Sequence, residues 1–281
     1  MKTIGIIGLG LIGGSLGLTM KKSKDFKVIG FDLNPKNAQK ALELGLVDNI
    51  TEKEALLKEA DIIIVATPTK ASISVLKEAL SQIESHQILI DMGSTKSKIC
   101  EALKNHPNRK NFVASHPIAG TENSGPESAI EHLFENKKMV ICNETESDKK
   151  AINTAKGIFK TLKCEVVYMD ANEHDKHLAY ISHLSHICSF ALGLTVLDLE
   201  KDEENIFNLA GSGFSSTARL AKSSPEMWES ISIQNKTHLL SAISAYMNHL
   251  SNLKEIIELE QSTELINEMK KANEIRRIIK N

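Results

Sequence analysis

The chain has 281 residues, of which 41% are hydrophobic, and this suffices for two ordinary domains with separate cores. A formal net charge of −2 without a basic stripe argues against a nucleic-acid partner. The four cysteines form no C-x-x-C pair and no signal peptide precedes the first strand pattern. We therefore expect free thiols, no metal site and a cytoplasmic protein.

The first predicted element is a strand, residues 4–7, that runs directly into a glycine-rich turn and a helix. The turn reads G-x-G-x-x-G, and in this context it predicts a dinucleotide-binding site. Gly8 allows the tight turn, Gly10 lets the backbone approach a pyrophosphate, and Gly13 lets the helix pack on the strand. The phosphates would lie on free N–H groups at the helix N-terminus. The turn residues expected to contact the cofactor are Gly8, Gly10, Leu11, Ile12 and Gly13.

The second predicted strand, residues 28–31, ends at the acidic residue Asp32. Its distance from Gly13 is close to the about 20 residues typical of a dinucleotide site. A carboxylate at this point accepts hydrogen bonds from a ribose 2′-OH and repels a 2′-phosphate. The pattern therefore predicts NAD as the cofactor, although Lys36 lies close enough to soften the exclusion of NADP.

Strand and helix patterns alternate through the rest of the first part. Further strands are predicted at residues 62–66, 88–91, 112–114, 138–142 and 165–168. Helical patterns separate most of them, among them residues 36–44, 69–82 and 148–162. This alternation is typical of an α/β protein with a mostly parallel, Rossmann-type sheet. We predict a dinucleotide-binding domain over residues 1–168.

The pattern changes after the last predicted strand. Helical patterns run from about residue 173 to 199 and from about 225 to 260, and a glycine-rich break at 211–214 lies between them. We predict an all-helical domain over residues 169–281 that binds substrate and forms the dimer contact. Residues 179–197 are the most apolar helical stretch, and His183 and His186 interrupt it, which predicts a buried helix rather than a membrane span. Residues 187–197 are apolar on nearly every helical face, so this helix must be covered all round. Because about 110 residues of helix offer little cover, a second subunit is expected to supply the rest, as a homodimer.

Polar residues follow three of the predicted strands, where a Rossmann sheet places its ligands. Thr67 and Pro68 follow one strand and are expected to contact the cofactor. Ser94 follows the next, and His116 follows the one after that. Pro117 holds His116 in an extended conformation, and a neutral imidazole can accept a proton near pH 7. The alternative for His116 is a structural histidine that fixes a loop.

Three further candidates lie in the helical part. His183 and His186 share a helix face at i, i+3, but no third ligand of matching spacing supports a metal. They form either a core pair or a pair that faces an anionic substrate. Arg219 could bind a carboxylate with both arms of its guanidinium, or it could be an ordinary surface residue. Trp228 is expected in the core.

Taken together, these segments resemble the prephenate dehydrogenases, a family that includes arogenate-using members. The matching strings span nearly the whole chain: GLGLIGGSL, the GS after the strand that ends at Asp91, SHPIAGTENSG, ISHLSH and GSGFSSTARLAKSSPEMW. Two departures, SHLSH where a proline is common at the fourth position and GSGF where glycines are common, remove no ionisable candidate.

The resemblance implies oxidative decarboxylation of prephenate to 4-hydroxyphenylpyruvate with hydride transfer to NAD, a step of tyrosine biosynthesis. It implies that His116 accepts the proton of the ring hydroxyl, and that Ser94 holds this hydroxyl or orients His116. The loop at 211–214 would close the pocket. By the same resemblance, the substrate-binding positions are Arg219, His186, Ser182, Thr121, Glu122 and Gly213.

Other functions remain open from the sequence. An arogenate dehydrogenase would give tyrosine directly, and one or two pocket residues could decide between the substrates. A β-hydroxyacid dehydrogenase also joins a Rossmann domain to a helical one, but it needs a catalytic lysine, for which Lys176 is the nearest candidate. A non-catalytic NAD-binding regulator would need the glycines but not His116, Ser94 and Arg219 together.

Overall fold

The computed structural model describes residues 1–200 and 209–278. Its centre is an eight-stranded sheet with the order β3-β2-β1-β4-β5-β6-β7-β8. The strands are β1 (Lys2–Ile7), β2 (Phe26–Phe31), β3 (Asn49–Ile50), β4 (Ile62–Val65), β5 (Ile88–Asp91), β6 (Phe112–Pro117), β7 (Lys138–Cys142) and β8 (Glu165–Met169). All pairs are parallel except β6 with β7, so the predicted mostly parallel sheet is confirmed.

Helices cover both faces of this sheet and continue after it. They are α1 (Leu11–Ser23), α2 (Pro35–Glu43), α3 (Lys53–Glu59), α4 (Thr69–Gln82), α5 (Ser97–Leu103), α6 (Lys149–Thr161), α7 (Ala171–Leu178), α8 (Leu184–Glu200), α9 (Ser212–Ala218), α10 (Pro225–Gln234), α11 (Lys236–Glu258) and α12 (Ser262–Ala272). A π-helical turn, Ala179–His183, joins α7 to α8.

The central strands are buried on both faces because helices pack on each side. Successive residues of a strand point to opposite faces, so Ile64 joins one apolar core and Ile63 the other. The strand order reverses between β1 and β4, which both leave the sheet at the same edge. A crevice outside the carboxyl ends of strands at such a reversal is where dinucleotides bind.

Some elements differ from the sequence prediction. The short strand β3 and the seven-residue helices α3 and α5 were not predicted. The long helix predicted over 225–260 is two helices, because Asn235 leaves the helical conformation at φ −99° and ψ 28°. The predicted break at 211–214 is instead mostly the first turn of α9, for which Gly211 is the N-cap residue.

Two compact units divide the chain, Met1–Asn235 and Lys236–Asn281. The first contains the whole sheet and the helices through α10. The second contains α11 and α12. Every described residue after β8 is helical or in a loop. The functional division at residues 168 and 169 stays a prediction.

The stretch Ala171–Leu199 is the one part of the described chain long and apolar enough to cross a membrane. Within the single chain Ile181 is 73%, Leu194 64% and Leu197 49% exposed, and the expectation that a second subunit covers residues 187–197 stays a prediction. An exposed apolar patch of this kind is typical of an interaction site.

Candidate active site

The glycines of the turn at residues 8–13 are explained in two different ways. Gly8 has φ +95°, and a Cβ on it would lie 2.6 Å from the Ala66 carbonyl oxygen. A Cβ on Gly13 would lie 1.9 Å from the Gly8 carbonyl oxygen. These two glycines are therefore required by the packing of the chain itself. Around Gly10, in contrast, a Cβ would meet nothing within 4 Å, which leaves open space for a ligand.

The N-terminus of α1 is suited to an anion. Gly10 is its N-cap residue and supplies no side-chain cap, and the first turn of α1 carries no acidic residue. The free N–H groups and the positive end of the helix dipole both favour a phosphate there. Leu11 and Ile12 lie in this first turn. The turn therefore fits the pyrophosphate of a dinucleotide.

Asp32 braces the same turn from the end of β2. Its carboxylate accepts hydrogen bonds from the N–H of Leu9 at 2.8 Å and from the N–H of Asn34 at 2.9 Å. Each carboxylate oxygen can accept more than one hydrogen bond. Asp32 can therefore hold the turn and still bind a ribose hydroxyl.

Thr67 has a buried hydroxyl that lacks a hydrogen-bond partner within the described part of the chain. It follows β4, and its backbone nitrogen lies beside the position of a Cβ on Gly8. Pro68 comes next and is exposed. Buried polar groups are rarely left unpaired, so the Thr67 hydroxyl indicates a further partner at this edge. Together with the open space at Gly10, it fits a bound dinucleotide.

His116 lies at the carboxyl end of β6 and is the first member of a hydrogen-bonded series. Its Nδ1 lies 2.9 Å from Nε2 of His174, and His174 Nδ1 lies 2.8 Å from Asp175 Oδ1. Asp175 also accepts the backbone N–H groups of Lys96 and Ser97, both at 2.8 Å. We call His116, His174 and Asp175 the histidine relay. Its second and third members begin the helical part of the chain, on α7.

The protonation of the relay follows from its environment. Burial opposes ionisation of Asp175, but hydrogen bonds from His174, Ser97 and Lys96 outweigh it and lower the pKa of this carboxyl. Burial lowers the pKa of His174, against the pull of Asp175. Burial, together with His174 and the Lys96 charge, also lowers the pKa of His116 well below 6.5. The relay therefore consists of a carboxylate and two neutral imidazoles.

This charge state fixes the tautomers. A carboxylate only accepts, so His174 carries its proton on Nδ1 and leaves Nε2 as an acceptor. His116 then donates from Nδ1 to that acceptor, which leaves its own Nε2 without a proton. An unprotonated Nε2 is the form that a general base requires.

Lys96 and Asp91 form a fully buried ion pair below the relay. Lys96 Nζ also donates to the Ser115 carbonyl oxygen at 2.8 Å, directly before His116. Burial raises the pKa of the Asp91 carboxyl, although Lys96 opposes this. The pair joins the ends of β5 and β6, so it fixes the two strand ends that carry Ser94 and His116.

Sequence reasoning missed His174, Asp175 and Lys96. One signal was available for α7: the buried positions Ala171, His174, Asp175 and Leu178 follow the i, i+3, i+4, i+7 spacing of an inward-facing stripe. Two polar residues in such a stripe indicate a buried polar contact. No comparable signal marks Lys96, since its partner and its burial both depend on the folded chain.

Ser94 lies at the end of β5 in the same region. It is half-buried, and its hydroxyl makes no hydrogen bond within the described residues. Among the described residues no hydrogen bond joins Ser94 to His116. The expectation that Ser94 holds a substrate hydroxyl stays a prediction.

Arg219 and Glu122 form an ion pair, with Arg219 Nη1 2.8 Å from Glu122 Oε2. The family resemblance implies that both lie in the substrate site, and the structure brings them together across 97 positions of the chain. The Arg219 side chain is half exposed. A substrate carboxylate could therefore reach the guanidinium, in competition with Glu122.

His183 and His186 meet at Trp228. His186 stacks on the Trp228 ring at 3.5 Å between centroids, and its Nδ1 lies 3.1 Å from the Ser182 carbonyl oxygen. His183 meets the same ring edge-on and is buried, and burial lowers its pKa to about 4. His183 is therefore a core histidine, whereas His186 is half-buried beside it. Trp228 is buried as expected, and its Nε1 has no partner within the described chain.

The remaining candidates are placed without decisive contacts. Thr121 accepts a hydrogen bond from the N–H of Asn123 at 3.2 Å, and Gly213 is exposed in α9. Lys176 is exposed on α7, on the side away from His174 and Asp175. The lysine required by a β-hydroxyacid dehydrogenase is thus not in the buried relay. Among the described residues there is no His, Cys, Asp or Glu cluster that could hold a metal.

Comparison with known proteins assigns the family. The model of the prephenate dehydrogenase nucleotide-binding domain matches residues 16–168, and that of the prephenate dehydrogenase dimerization domain matches residues 170–271. Prephenate dehydrogenase of Bacillus subtilis is 35% identical over 98% of this chain and 75% of that protein.

Solved structures agree with this assignment. The prephenate dehydrogenase of Aquifex aeolicus, in complex with hydroxyphenyl propionate and NAD+, superposes with a TM-score of 0.91 at 32% identity, over 100% of this chain and 99% of that one. The arogenate dehydrogenase of Synechocystis superposes with a TM-score of 0.77 at 29% identity, over 98% of this chain and 99% of that one. The chain therefore belongs to the prephenate dehydrogenase family and is an NAD-dependent oxidoreductase of tyrosine biosynthesis.

Proposed function

We propose that this chain converts prephenate to 4-hydroxyphenylpyruvate and carbon dioxide, with His116 as the proton acceptor. The C–H bond at the carbinol carbon breaks, and NAD, when bound, supplies the hydride acceptor. The bond between the ring and its carboxylate breaks as carbon dioxide leaves, and its electrons make the ring aromatic. The hydroxyl proton first moves to the base and returns to the phenolic oxygen.

The single observation that carries this proposal is the histidine relay. His116 lies at the carboxyl end of β6, on the same edge of the parallel strands as the glycine turn, and the relay leaves its Nε2 free to accept a proton. When the hydroxyl proton arrives, His116 becomes positively charged. The negative charge of the Asp175 carboxylate stabilises this positive charge through the intervening His174 imidazole.

Substrate binding is assigned to the residues around this base. Arg219 would exchange its contact with Glu122 for a substrate carboxylate, most simply the ring carboxylate. The His186 ring, fixed by its stack on Trp228, would meet the side-chain carboxylate together with Ser182. Ser94 would hold the ring hydroxyl, while Thr121, Glu122 and Gly213 would line the mouth of the site.

The proposal is tested by the near-ultraviolet absorbance of NADH when the purified chain meets NAD and prephenate. We expect turnover, and we expect His116→Asn to lower kcat by roughly 10² to 10⁴, the usual contribution of a general base, with KM little changed. His86→Asn, at a histidine with a 58% exposed side chain in a loop, is the matched control and should leave kcat unchanged.

Full turnover in His116→Asn would show that this residue is not the proton acceptor. No NADH under any condition would favour an NAD-binding regulator instead. Faster turnover with arogenate than with prephenate would assign the chain to the arogenate-using members of the family.

We also propose that the protein is a cytoplasmic homodimer, formed through its helical part. The exposed apolar surface of Ala171–Leu199 supports this, as does the match to a dimerization domain. A membrane span is disfavoured because His174 and Asp175, in the first turns of this stretch, are buried in hydrogen bonds with the sheet domain. The 17 residues of α8 that remain are at the lower limit of the about 17–25 that a span requires.

A further inference from the structure

One side chain at the C-terminal end of α10 reaches two segments that follow neighbouring strands. We call them the cofactor loop, residues 66–69, which ends at the first residue of α4, and the Ser94 loop, residues 92–96. Gln234 Oε1 accepts a hydrogen bond from the Thr95 hydroxyl at 2.7 Å, and Gln234 Nε2 donates to the Thr69 carbonyl oxygen at 2.6 Å. Thr69 and Thr95 are both buried. The two ends of a single amide thus fix the distance between these loops.

Both loops carry residues assigned to the reaction. Thr69 is two positions after Thr67, whose unpaired hydroxyl indicates cofactor contact. Thr95 directly follows Ser94. The loops leave the neighbouring parallel strands β4 and β5, so Gln234 connects the cofactor side of the cleft with the side assigned to the ring hydroxyl.

The next residue connects to the histidine relay. Asn235 is buried, and its Nδ2 donates to the Asp175 carbonyl oxygen at 2.7 Å. The same amide lies 3.1 Å from His183 Nδ1. Since neutral His183 accepts there, it carries its proton on Nε2. Asn235 thus fixes the position of the Asp175 backbone. It also determines the tautomer of His183, the core histidine beside Trp228.

We propose that Gln234 and Asn235 are positioning residues that hold the cofactor loop, the Ser94 loop and the histidine relay in register for hydride transfer. The inference rests on the proposed function. The hydride leaves from the carbinol carbon, and the proton leaves from the oxygen bonded to that carbon. The hydride acceptor and the base must therefore both lie close to this one C–O group. A misplacement of about 1 Å in such a site can cost a factor of about a hundred in rate. Polar side chains define such distances better than apolar packing, because their hydrogen bonds are directional.

The test is Gln234→Glu, which keeps the acceptor for Thr95 but replaces the donor to Thr69 by a charged oxygen. We expect kcat to fall about tenfold or more, with KM for NAD and prephenate changed less than twofold. The thermal midpoint should stay within a few degrees because Gln234 is only partly buried. Gln82→Glu makes the same charge change on the exposed end of α4 and should keep the wild-type kcat.

Amide hydrogen exchange supplies a readout that does not depend on turnover. In Gln234→Glu, exchange in residues 66–72 and 93–98 should accelerate, whereas in Gln82→Glu it should not. In Asn235→Asp, exchange should accelerate around residue 175 and kcat should fall in the same way. Unchanged exchange in both loops, or unchanged kcat in an enzyme that oxidises prephenate, would overturn the positioning role. A wild-type chain without turnover would contradict the proposed function, and the exchange data would still decide whether the bridge exists.

Discussion

At the scale of single residues, His116 combines an anchored position with a neutral charge. It is the end of a relay anchored by a carboxylate, yet its surroundings keep it neutral. An isolated Asp–His pair would raise the pKa of the imidazole. Here the carboxylate is one residue further away, and burial, His174 and the Lys96 charge all act in the opposite direction. The result is a base that is unprotonated at neutral pH.

This environment predicts the acid limb of the pH profile. Since protonated His116 cannot accept the hydroxyl proton, kcat should fall once the pH drops below the pKa of His116 in the complex. Because that pKa lies below the ordinary value of 6.5, kcat should be constant across neutral pH and fall only in the range below 6.5. Steady-state rates at saturating NAD and prephenate, measured from about pH 5 to 8, check this. A limb at or above 6.5 would contradict it.

The control for this profile is the stability of the fold. His183 has a pKa of about 4 when folded and about 6.5 when unfolded, so the unfolded chain binds a proton that the folded chain refuses. Above pH 6.5 His183 is neutral in both states and does not change the free energy of unfolding. As the pH falls from 6.5 towards 4, the unfolded chain takes up this proton and the folded chain does not, so the free energy of unfolding decreases. The loss is on the order of 3 kcal/mol when complete. A loss of activity in acid is therefore assigned to His116 only if two controls hold. The activity must return when the sample is brought back to neutral pH, and the circular dichroism spectrum must not change over the pH range in which the activity falls.

At the scale of elements, the glycines of the βα turn fall into two groups: those that the fold requires and one that the fold does not require. Gly8 and Gly13 are required because their neighbours leave no room for a Cβ. Gly10 has φ −73°, which any residue adopts, and open space around it. A glycine that the fold does not require is explained by what approaches it, here the pyrophosphate.

A matched pair of variants tests this separation. Gly13→Ala should lower the free energy of unfolding by about 1–3 kcal/mol, because its Cβ would lie 1.9 Å from a carbonyl oxygen. Gly10→Ala should change stability by less than about 0.5 kcal/mol, as is usual away from packed sites, but should weaken NAD binding tenfold or more. Urea titration and calorimetric titration with NAD measure the two quantities. A Gly10→Ala protein that binds NAD normally would show that the phosphates do not approach this residue.

Elements differ in how far the sequence predicts them. The central strands were predicted well, because runs such as Ile62–Val65 are apolar on both faces and bounded by turns. Helices α3 and α5 were missed, because seven residues are too few for a clear period. The end of α10 was missed because the buried hydrogen bonds of Asn235 join distant parts of the chain. The same reason hid the relay, whereas His116 was found from its place at a strand end.

At the scale of the whole molecule, the apolar surface of α8 is exposed to solvent in the single chain. Ile187 and its neighbours are apolar on nearly every face, so no orientation of this helix could bury all of them within one small helical part. Leu194 is 64% exposed, and Leu197 and Leu199 are about half exposed. We propose that a second copy of the chain covers this surface. The family match to a dimerization domain supports the same arrangement.

The proposed homodimer predicts how a single charge placed in this apolar surface would change the association of the chain. Sedimentation equilibrium at micromolar concentration should give twice the chain mass of 31.0 kDa for the wild type. Leu194→Glu should shift the protein towards the monomer, because a carboxylate placed in an apolar interface loses its hydration without gaining a partner. Leu44→Glu, at a leucine 43% exposed beside α2, makes the same change outside the helical part and should remain dimeric. A wild type that sediments as a monomer would show that this helix does not form the interface, and an equally dimeric Leu194→Glu would place the contact on another surface.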